Sequence, residues 1–312
     1  MRIAVLVPCF NEEAAVEAVV RNFSTVLPEA TVYVYDNNST DRTREVAAAA
    51  GAVVRRETRQ GKGFVIQRMF ADVDADVYVL VDGDNTYDAA SAPGMIERLR
   101  AEQLDLVTGA RVAANQSAYR PGHRFGNAML SGLVALLFEN RFADMLTGYR
   151  VFSRRFVKTF TGSASGFEIE TELTVHALAL RMPGAEMEIP YRERPEGSSS
   201  KLRTFRDGFR ILWMILRLVV GERPLFFFGT LAIVFAAASL VLIFPVILTY
   251  LETGLVPRLP TAVLCTSLMV LSFLSLSCGL ILNIVTRARR EAKRLRYLEL
   301  PAPPPLETKP SR

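Results

Sequence analysis

Two acids separated by a single glycine, Asp82 and Asp84, are the residues whose type and spacing most clearly suggest chemistry. They follow the apolar, β-branched run 77–81, which is typical of a buried strand that ends in a loop. Because Gly83 has no side chain, both carboxylates can turn toward one hard cation, and Mg²⁺ or Mn²⁺ prefers such oxygen ligands. The same residue types are common in ordinary turns with solvated acids. The choice between a metal site and an ordinary turn therefore depends on the rest of the chain.

The composition indicates a membrane-associated α/β protein. The 312 residues suffice for one sizeable α/β domain with additional elements. Hydrophobic residues make up 50% and the mean hydropathy is +0.21, with the apolar excess concentrated toward the C-terminus. A net charge of +5 suits either nucleic acid or an anionic membrane surface. The basic residues flank the apolar segments, which favours the membrane, and we expect no nucleic-acid partner.

Cysteine and histidine are scarce, which narrows the classes of site. Cys9, Cys265 and Cys278 form no Cys-x-x-Cys pair, so neither a disulfide framework nor a zinc site is predicted. Only two histidines exist, and a multi-histidine metal site is therefore not expected. The chain begins with a short strand-like run closed by Pro8, unlike a signal peptide, so we expect the first domain to stay in the cytoplasm.

The first part of the chain alternates strand and helix patterns. Strands are predicted at residues 3–7, 32–35, 52–55, 77–81 and 105–108. Asn11 is expected to cap the first helix, with Glu12 and Glu13 in its first turn, and later helices are predicted through 50, at 61–71 and at 91–101. This alternation predicts a parallel sheet with right-handed crossovers. Ligands bind beyond the carboxyl ends of such strands, where the polar loops 8–12, 36–41 and 82–88 should converge.

The second part of the chain is richer in apolar and basic residues. An amphipathic, Leu-rich helix is predicted at 125–142, with basic flanks that include Arg124. An acid-rich helix at 166–181, a strand at 188–191 and a flexible loop at 197–201 follow. Residues 203–220 alternate arginines with apolar side chains and contain the only tryptophan, Trp213. This pattern favours a helix in the membrane interface over one packed in a core.

Two uncharged stretches, 225–250 and 259–286, each exceed the roughly 20 apolar residues that span a bilayer. Pro245 should kink the first stretch or mark its end. Basic residues flank the pair on one side, which the positive-inside rule assigns to the cytoplasm. We therefore predict an α/β domain at 1–202, an interfacial helix at 203–223, transmembrane helices at 224–250 and 259–286, and a basic, Pro-rich cytoplasmic tail at 287–312 that is disordered from 301 onward. The protein would be a multi-pass protein of the inner membrane.

Six short segments, each weak evidence alone, occur in a specific order and spacing. They are 8–12 (Pro-Cys-Phe-Asn-Glu), 36–41 (Asp-Asn-Asn-Ser-Thr-Asp), 61–63 (Gly-Lys-Gly), 82–84 (Asp-Gly-Asp), 147–150 (Thr-Gly-Tyr-Arg) and 200–202 (Ser-Lys-Leu). Together, over roughly residues 3–220, the chain resembles the inverting family 2 glycosyltransferases of the polyprenyl-phosphate type. That family includes dolichol-phosphate mannose synthases and bacterial undecaprenyl-phosphate glycosyltransferases. The resemblance implies a GT-A fold, a Rossmann-like α/β domain with a mostly parallel sheet.

The resemblance also implies roles for individual residues. Asp82 and Asp84 would hold Mg²⁺ or Mn²⁺ against the donor diphosphate, with Asp84 the more direct ligand. Pro8, Phe10 and Glu12 would line the nucleoside pocket, and the other substrate-binding candidates are Asn11, Asp36, Asn37, Lys62, Gly83 and Ser200. Basic side chains would screen the repulsion between two phosphorylated substrates, although each could instead be a solvated surface charge. These candidates are Arg111, Arg124, Arg150, Arg194 and Lys201, of which Arg124, Arg150 and Lys201 join Asp84 as catalytic candidates.

Asn37 departs from the family pattern, because many relatives have a second acid there. An asparagine offers one acceptor and one donor group, which complements the N3–H and O4 of uracil. Guanine presents two adjacent donors, which a carboxylate suits better. The sequence therefore favours a UDP-sugar donor over GDP-mannose.

The acceptor implied by the resemblance is a polyprenyl phosphate, such as undecaprenyl phosphate, which is already anionic and needs no strong general base. Catalysis would then depend on positioning, on the cation and on cationic screening, with inversion at the anomeric carbon. Glu168, Glu170 and Glu172 are either sugar or base contacts or simply acids favoured by a helix N-terminus. The spans would anchor the enzyme in the lipid bilayer and mediate self-association into a homo-oligomer. The first alternative is a GDP-mannose-dependent polyprenyl-phosphate mannose synthase. Further alternatives are a processive polysaccharide synthase, although its Gln-x-x-Arg-Trp motif is absent, and a non-catalytic membrane scaffold.

Overall fold

The computed structural model describes residues 1–113, 144–166, 168–192, 213, 216–217 and 219–305. The described chain forms two compact units, one made of Met1–Ile211 with Lys293–Arg312 and the other of Leu212–Ala292. The first unit is an α/β domain, and the second is helical.

The α/β unit is built on a seven-stranded sheet with the order β3-β2-β1-β4-β6-β5-β7. Its strands are β1 (Ile3–Cys9), β2 (Ala30–Asp36), β3 (Val53–Arg56), β4 (Val77–Leu80), β5 (Leu106–Ala113), β6 (Arg150–Ser153) and β7 (Gly184–Tyr191). The first four strands pair in parallel, as their alternation with helices predicts. β6 runs antiparallel to both β4 and β5, whereas β5 and β7 are parallel. The prediction of a mostly parallel sheet is confirmed.

Helices cover both faces of the sheet. They are α1 (Val16–Val26), α2 (Thr43–Ala49), α3 (Lys62–Asp72), α4 (Ala92–Ala101), α5 (Arg154–Thr159) and α6 (Ile169–Ala179). Alternate residues of β1 enter opposite cores, with Val5 in the core shared with α1 and α4 and Leu6 in the core shared with α3, α5 and α6. Because successive side chains of a strand point to opposite faces, the β-branched run of β1 supplies both cores at once.

Two elements escaped the sequence prediction. β6 and α5 lie in a stretch of only ten residues, and the strand has four residues that are all buried. Ser153 caps α5, since its hydroxyl accepts a hydrogen bond from the Phe156 amide. A strand this short lacks a readable period, and its partners β4 and β5 lie far from it in sequence.

The second unit contains the long apolar helix α7 (Pro224–Thr253) and most of a second one, α8 (Leu259–Leu298), whose last residues, 293–298, belong to the first unit. Both are long and apolar enough to cross a membrane, with mean hydropathies of 2.9 and 2.3 in their most apolar windows. Pro245 does not end α7, which continues to Thr253. Hydrogen bonds join the two helices, from the Ser239 hydroxyl to the Cys265 carbonyl and from the Ser272 hydroxyl to the Ala232 carbonyl. Such polar links between apolar helices are typical of membrane bundles.

The predicted disorder after residue 301 is wrong for residues 301–305. The guanidinium of Arg100 donates to the carbonyls of Pro304 and Pro305, at 3.0 and 2.7 Å, and Pro303 is buried. Proline lacks an N–H but retains a strong carbonyl acceptor, so a proline segment can be fixed by an arginine fork. The predicted helices at 125–142 and over most of 203–220 lie outside the described residues.

Candidate active site

The loops that follow β1, β2 and β4 meet at one edge of the sheet, as predicted. The parallel register pairs Cys9 with Asp36, and the amide of Asn37 donates to the Cys9 carbonyl at 2.9 Å. An added Cβ on Gly83 would lie 2.6 Å from the Cys9 Sγ, so the loop after β4 packs directly on the end of β1. Consequently the three polar loops form a single cluster beyond the strand ends.

Asn11 joins the first two loops and does not cap a helix. Its backbone has φ 54°, its Oδ1 accepts from the Thr40 amide at 2.8 Å, and its own amide donates to the Ser39 hydroxyl. The helix begins only at Val16, without a side-chain cap. Asparagine tolerates this left-handed conformation better than most residues, so the local geometry explains the residue type. The prediction that Asn11 is a cap, with two glutamates in the first turn, is wrong.

Asp36 presents an unsatisfied acceptor at this edge. The residue is fully buried, and its Oδ1 accepts from the Ser39 amide at 3.2 Å. Its Oδ2 has no hydrogen-bond partner in the described structure, and the nearest basic group is the Arg44 Nε at 3.9 Å. Buried carboxylate oxygens are normally hydrogen-bonded, so this atom is a natural acceptor for a ligand.

The side chain of Asn37 is hydrogen-bonded within the protein and cannot bind a base in the predicted way. Its amide nitrogen donates to the carbonyls of Glu57 and Arg59, at 3.0 and 2.8 Å, and its Oδ1 accepts from the Gly61 amide at 2.7 Å. Because the residue is only 3% exposed and both donor hydrogens of its amide are used, no donor remains for a uracil edge. The prediction that Asn37 contacts the base, and thereby favours a UDP-sugar, is therefore wrong.

Asp82 and Asp84 differ in exposure and in partners. Asp84 is buried, and its Oδ1 accepts from both the amide and the hydroxyl of Thr86, at 3.2 and 2.6 Å. The Asp82 side chain is 26% exposed, and its Oδ1 accepts from the Lys62 ammonium at 2.5 Å. An added Cβ on Gly148 would lie 2.2 Å from the Asp82 Oδ2, so only glycine fits against this carboxylate.

Lys62 connects Asp82 with a third acid, Glu170. The ammonium lies 2.6 Å from the Glu170 Oε1, and Glu170 is 7% exposed. Burial alone would lower the pKa of Lys62, but the charges of the two carboxylates more than offset it, so its pKa is raised and the side chain stays protonated. Burial raises the pKa of Glu170, and the adjacent Lys62 partly counteracts this.

The glycines around Lys62 permit close approach between distant segments. An added Cβ on Gly61 would lie 2.0 Å from the Ser165 carbonyl oxygen, and one on Gly63 would lie 2.1 Å from the Ala164 oxygen. Gly61 also has φ 139°, a backbone conformation that favours glycine. The Gly-Lys-Gly segment is thus the place where the start of α3 docks on the loop before α6.

Two of the predicted phosphate-binding arginines use their guanidinium groups in contacts within the protein. Arg150 is fully buried, and its guanidinium donates to the carbonyls of Met145 and Thr147 and to the Thr174 hydroxyl. Burial lowers the pKa of Arg150. The expectation that Arg150 contacts a phosphate directly is wrong for this arrangement, because the side chain supports the 145–149 loop from within.

Arg111 forms a bidentate ion pair with Asp144, at 2.7 and 2.8 Å, and its side chain is 19% exposed. Because Asp144 neutralises the guanidinium, Arg111 would attract a substrate phosphate less strongly than an unpaired arginine would. Pro8 and Phe10 lie at the partly exposed end of β1, and the Glu12 amide donates to the Thr43 hydroxyl. The remaining predicted residues, Arg124, Arg194, Ser200 and Lys201, lie outside the described residues.

Tyr87 is a site residue that the sequence analysis missed. Its hydroxyl accepts from the Gly148 amide at 2.9 Å, and its ring packs edge-on against Tyr149 and Tyr191. It thereby links the loop after β4 to the glycine that faces Asp82. In the sequence, the only indication of this role is that Tyr87 lies three residues after Asp84. A buried apolar residue could equally well occupy that position, so the indication is not specific.

The donor set at Asp82 and Asp84 suits a hard divalent cation shared with a substrate. Within the described residues no group of three or more His, Cys, Asp or Glu side chains could enclose a metal by itself. Two carboxylates are nevertheless what Mg²⁺ commonly takes from a protein when phosphate oxygens complete its coordination. The residues therefore fit such a cation only together with a phosphorylated ligand.

Comparison with known proteins agrees with this geometry. The chain matches the family model described as glycosyl transferase family 2 over residues 4–161. It is 33% identical to glycosyltransferase AglJ of Haloferax volcanii over 244 residues, which are 76% of this chain and 78% of that protein. It is 27% identical over 221 residues to a dolichyl-phosphate hexose transferase of the same organism, covering 71% of this chain and 95% of that one.

The fold is also found among solved structures. Glucosyl-3-phosphoglycerate synthase from Mycobacterium tuberculosis, in complex with Mn²⁺, UDP and glucosyl-3-phosphoglycerate, superposes with a TM-score of 0.54 and 23% identity. The match covers 70% of this chain and 78% of that chain. The sheet order, the acids beyond β4 and the family match lead to one conclusion: the chain is a GT-A enzyme that belongs to glycosyltransferase family 2.

Proposed function

We propose that this glycosyltransferase moves a sugar from a nucleoside diphosphate to the phosphate of a polyprenyl phosphate. The observation that carries the proposal is the pair of apolar helices α7 and α8 in the same chain as the GT-A domain. Only 17% and 6% of the residues in their most apolar windows are buried, unlike core helices of a soluble protein. An enzyme with such helices is suited to an acceptor that resides in a bilayer.

The chemistry of a phosphate acceptor suits the groups of the site. An acceptor phosphate carries its own negative charge, so it can attack without a strong general base. The lysine nearest the acids, Lys62, stays protonated and is unsuited to act as a base. Asp82 and Asp84 would hold a divalent cation, which when bound neutralises charge on the departing diphosphate. The exposed part of Asp82 and the Asp36 oxygen that accepts no hydrogen bond mark where the donor would bind.

Two similar proteins support the two substrates. The Haloferax volcanii relative is a dolichyl-phosphate hexose transferase, which supports a lipid phosphate as acceptor. The mycobacterial synthase was solved with UDP and Mn²⁺, which supports a uridine donor and Mn²⁺ as the first pair to test. The basic side chains that follow the apolar part of α8 support a cytoplasmic location for this end of the helix.

The direct test uses membranes that contain the full-length protein. They are incubated with undecaprenyl phosphate, Mn²⁺ and a panel of labelled UDP- and GDP-sugars, and the label extracted with lipid is measured. We expect one donor to label the lipid only when undecaprenyl phosphate and the cation are both present. Label that enters a polymer instead of a lipid would favour a polysaccharide synthase. Failure of every donor to label any product would reject the proposal.

A further inference from the structure

Lys62 lies between two carboxylates that belong to different parts of the fold. Its ammonium is 2.5 Å from the Asp82 Oδ1 and 2.6 Å from the Glu170 Oε1. The side chains of Lys62 and Glu170 are 11% and 9% exposed, against 26% for Asp82. The lysine and glutamate are thus almost enclosed, and the aspartate is the member of the trio that a ligand can reach.

The position of Asp82 is fixed from two sides. Lys62 holds its Oδ1, and the backbone of Gly148 leaves no room for a Cβ beside its Oδ2. Gly63 lets the lysine reach this place, because its amide donates to the Ser165 carbonyl at 3.1 Å and draws the start of α3 onto the loop before α6. Contacts of this kind orient a metal-binding carboxylate before the metal arrives.

Glu170 controls how much of the lysine's charge reaches Asp82. The ammonium lies within ion-pair distance of both carboxylates, so its charge is shared between Glu170 and Asp82 and is not directed at Asp82 alone. Without the second carboxylate the ammonium would pair with Asp82 alone, and in a largely buried site such a pair is strong. It would then compete with any cation for the same carboxylate oxygen. Glu170 therefore allows Lys62 to orient Asp82 without neutralising it.

We propose that Glu170 is a positioning residue that acts through Lys62 to keep Asp82 oriented and negatively charged for a divalent cation bound with the donor diphosphate. This inference rests on the proposed function, in which Asp82 and Asp84 bind that cation. The competing explanation is that Glu170 only ties α6 to α3. In that case its loss would lower thermal stability and leave cation affinity unchanged.

The test measures Mn²⁺ binding to the detergent-solubilised full-length protein by the EPR signal of free Mn²⁺, with UDP present and again with GDP. Thermal unfolding without ligands is measured in parallel. We expect Glu170→Gln to weaken Mn²⁺ binding about 10-fold, in the range typical of changes behind a metal ligand. The KM for the sugar donor should rise more than kcat falls. Glu170→Asp keeps the charge but is one methylene shorter, so its carboxylate lies farther from Lys62, and Mn²⁺ binding should weaken measurably but less than in Glu170→Gln.

A double substitution separates action through Lys62 from a simple loss of charge. In the Lys62→Met background there is no ammonium to compete with the cation, so adding Glu170→Gln should change Mn²⁺ affinity less than about twofold. Asp72→Asn is the matched control, because it removes an ion pair with Arg68 from the other end of α3. It should bind Mn²⁺ like the wild type.

Each outcome has a distinct meaning. Wild-type affinity in a folded Glu170→Gln or Glu170→Asp protein, or a further 10-fold loss in the Lys62→Met background, would overturn the inference. If Glu170→Gln does not fold, the aspartate variant decides alone, since an affinity loss with a normal melting temperature supports positioning. If the wild type binds neither UDP nor GDP with Mn²⁺, the proposed function itself fails.

Discussion

Asp36 and Asn37 are neighbours at the carboxyl end of β2, yet their side chains meet different partners. One oxygen of Asp36 is buried without a hydrogen bond, whereas both side-chain donor hydrogens of Asn37 are used by the 57–61 loop. An unsatisfied buried acceptor can gain a ligand's hydrogen bond, and a satisfied amide cannot. At the residue scale, therefore, Asp36 is the better candidate for contact with the donor, and Asn37 shapes the loop beside it.

Asn37→Asp tests this assignment. The new carboxylate would face the carbonyl oxygens of Glu57 and Arg59, which the asparagine amide now satisfies. We expect the melting temperature of the full-length protein to fall, with a cost of about 1–3 kcal/mol for the lost donors. The preference between UDP and GDP should remain as in the wild type. A stable variant that switches from UDP to GDP binding would show that residue 37 does contact the base.

Asp84→Ala tests the cation site. The carboxylate is buried and bonded to Thr86, so its loss removes an oxygen ligand and leaves the threonine amide without this partner. We expect sugar transfer to fall at least about 100-fold, as for loss of a group that stabilises transition-state charge. Membrane insertion should be retained, as measured by extraction of the protein with detergent but not with alkaline buffer. Near-normal transfer by this variant with Mn²⁺ would refute the role of Asp84.

Around the site, glycines permit close packing between particular elements, because they have no side chain. Gly61 and Gly63 admit the carbonyls of Ser165 and Ala164, and Gly148 admits the carboxylate of Asp82. None of these contacts joins residues near in sequence. At the element scale, the Gly-Lys-Gly segment is thus a turn and also the contact between the start of α3 and the loop before α6.

Gly63→Ala and Gly94→Ala form a matched pair. A Cβ at residue 63 would lie 2.1 Å from a backbone oxygen, whereas one at residue 94 would meet only the Met187 Cε at 3.8 Å. We expect Gly63→Ala to destabilise the protein by about 1–3 kcal/mol through overpacking. Gly94→Ala in α4 should be neutral or slightly stabilising, because alanine favours helices. Equal melting temperatures for the two variants would contradict the close approach.

The end of α8 and the segment after it belong to the α/β unit. The Tyr297 hydroxyl donates to the Asp105 Oδ2 at 2.8 Å, and Arg155 pairs with the other oxygen of this fully buried acid while lying over the tyrosine ring. Arg100 binds the carbonyls of the following prolines. The region after the apolar stretch therefore stabilises the α/β unit through these contacts, in addition to carrying the basic residues that flank the membrane span.

At the scale of the whole molecule, acid should weaken the fold through a buried histidine. His176 is 5% exposed, its Nδ1 has no hydrogen-bond partner in the described structure, and it contacts the rings of Phe156 and Phe160. Burial, aided by the charge of Lys293, lowers its pKa to about 3. The folded protein thus keeps this imidazole neutral at pH values where the unfolded chain protonates it.

The sign of the pH effect follows from linkage. Between the unfolded pKa of about 6.5 and the folded value of about 3, the unfolded state binds more protons, so stability falls as the pH falls, by up to about 1.4 kcal/mol per pH unit. His176→Leu removes this proton uptake. It also removes the hydrogen bond between the His176 Nε2 and the Thr159 hydroxyl at 3.2 Å, but that hydroxyl still donates to the Arg155 carbonyl. We expect the variant to lose less melting temperature than the wild type between pH 7.5 and 5.5. Equal losses would show that other groups control acid stability.

The sequence by itself determined the alternation of strands and helices, the position of the acids at a strand end and the two apolar stretches, because each depends on local periodicity or on continuous composition. Only the tertiary structure decided which polar groups remain available. Asn37, Arg150 and Lys62 have the residue types of ligand-binding groups, but each forms hydrogen bonds within the protein, including one to a residue more than twenty positions away: Arg59, Thr174 and Glu170, respectively. The antiparallel insertion of β6 and the contact of Gly148 with Asp82 also depend on packing between distant segments. Hydrogen-bond partners and close approach are properties of the folded surface, whereas periodicity is a property of the chain.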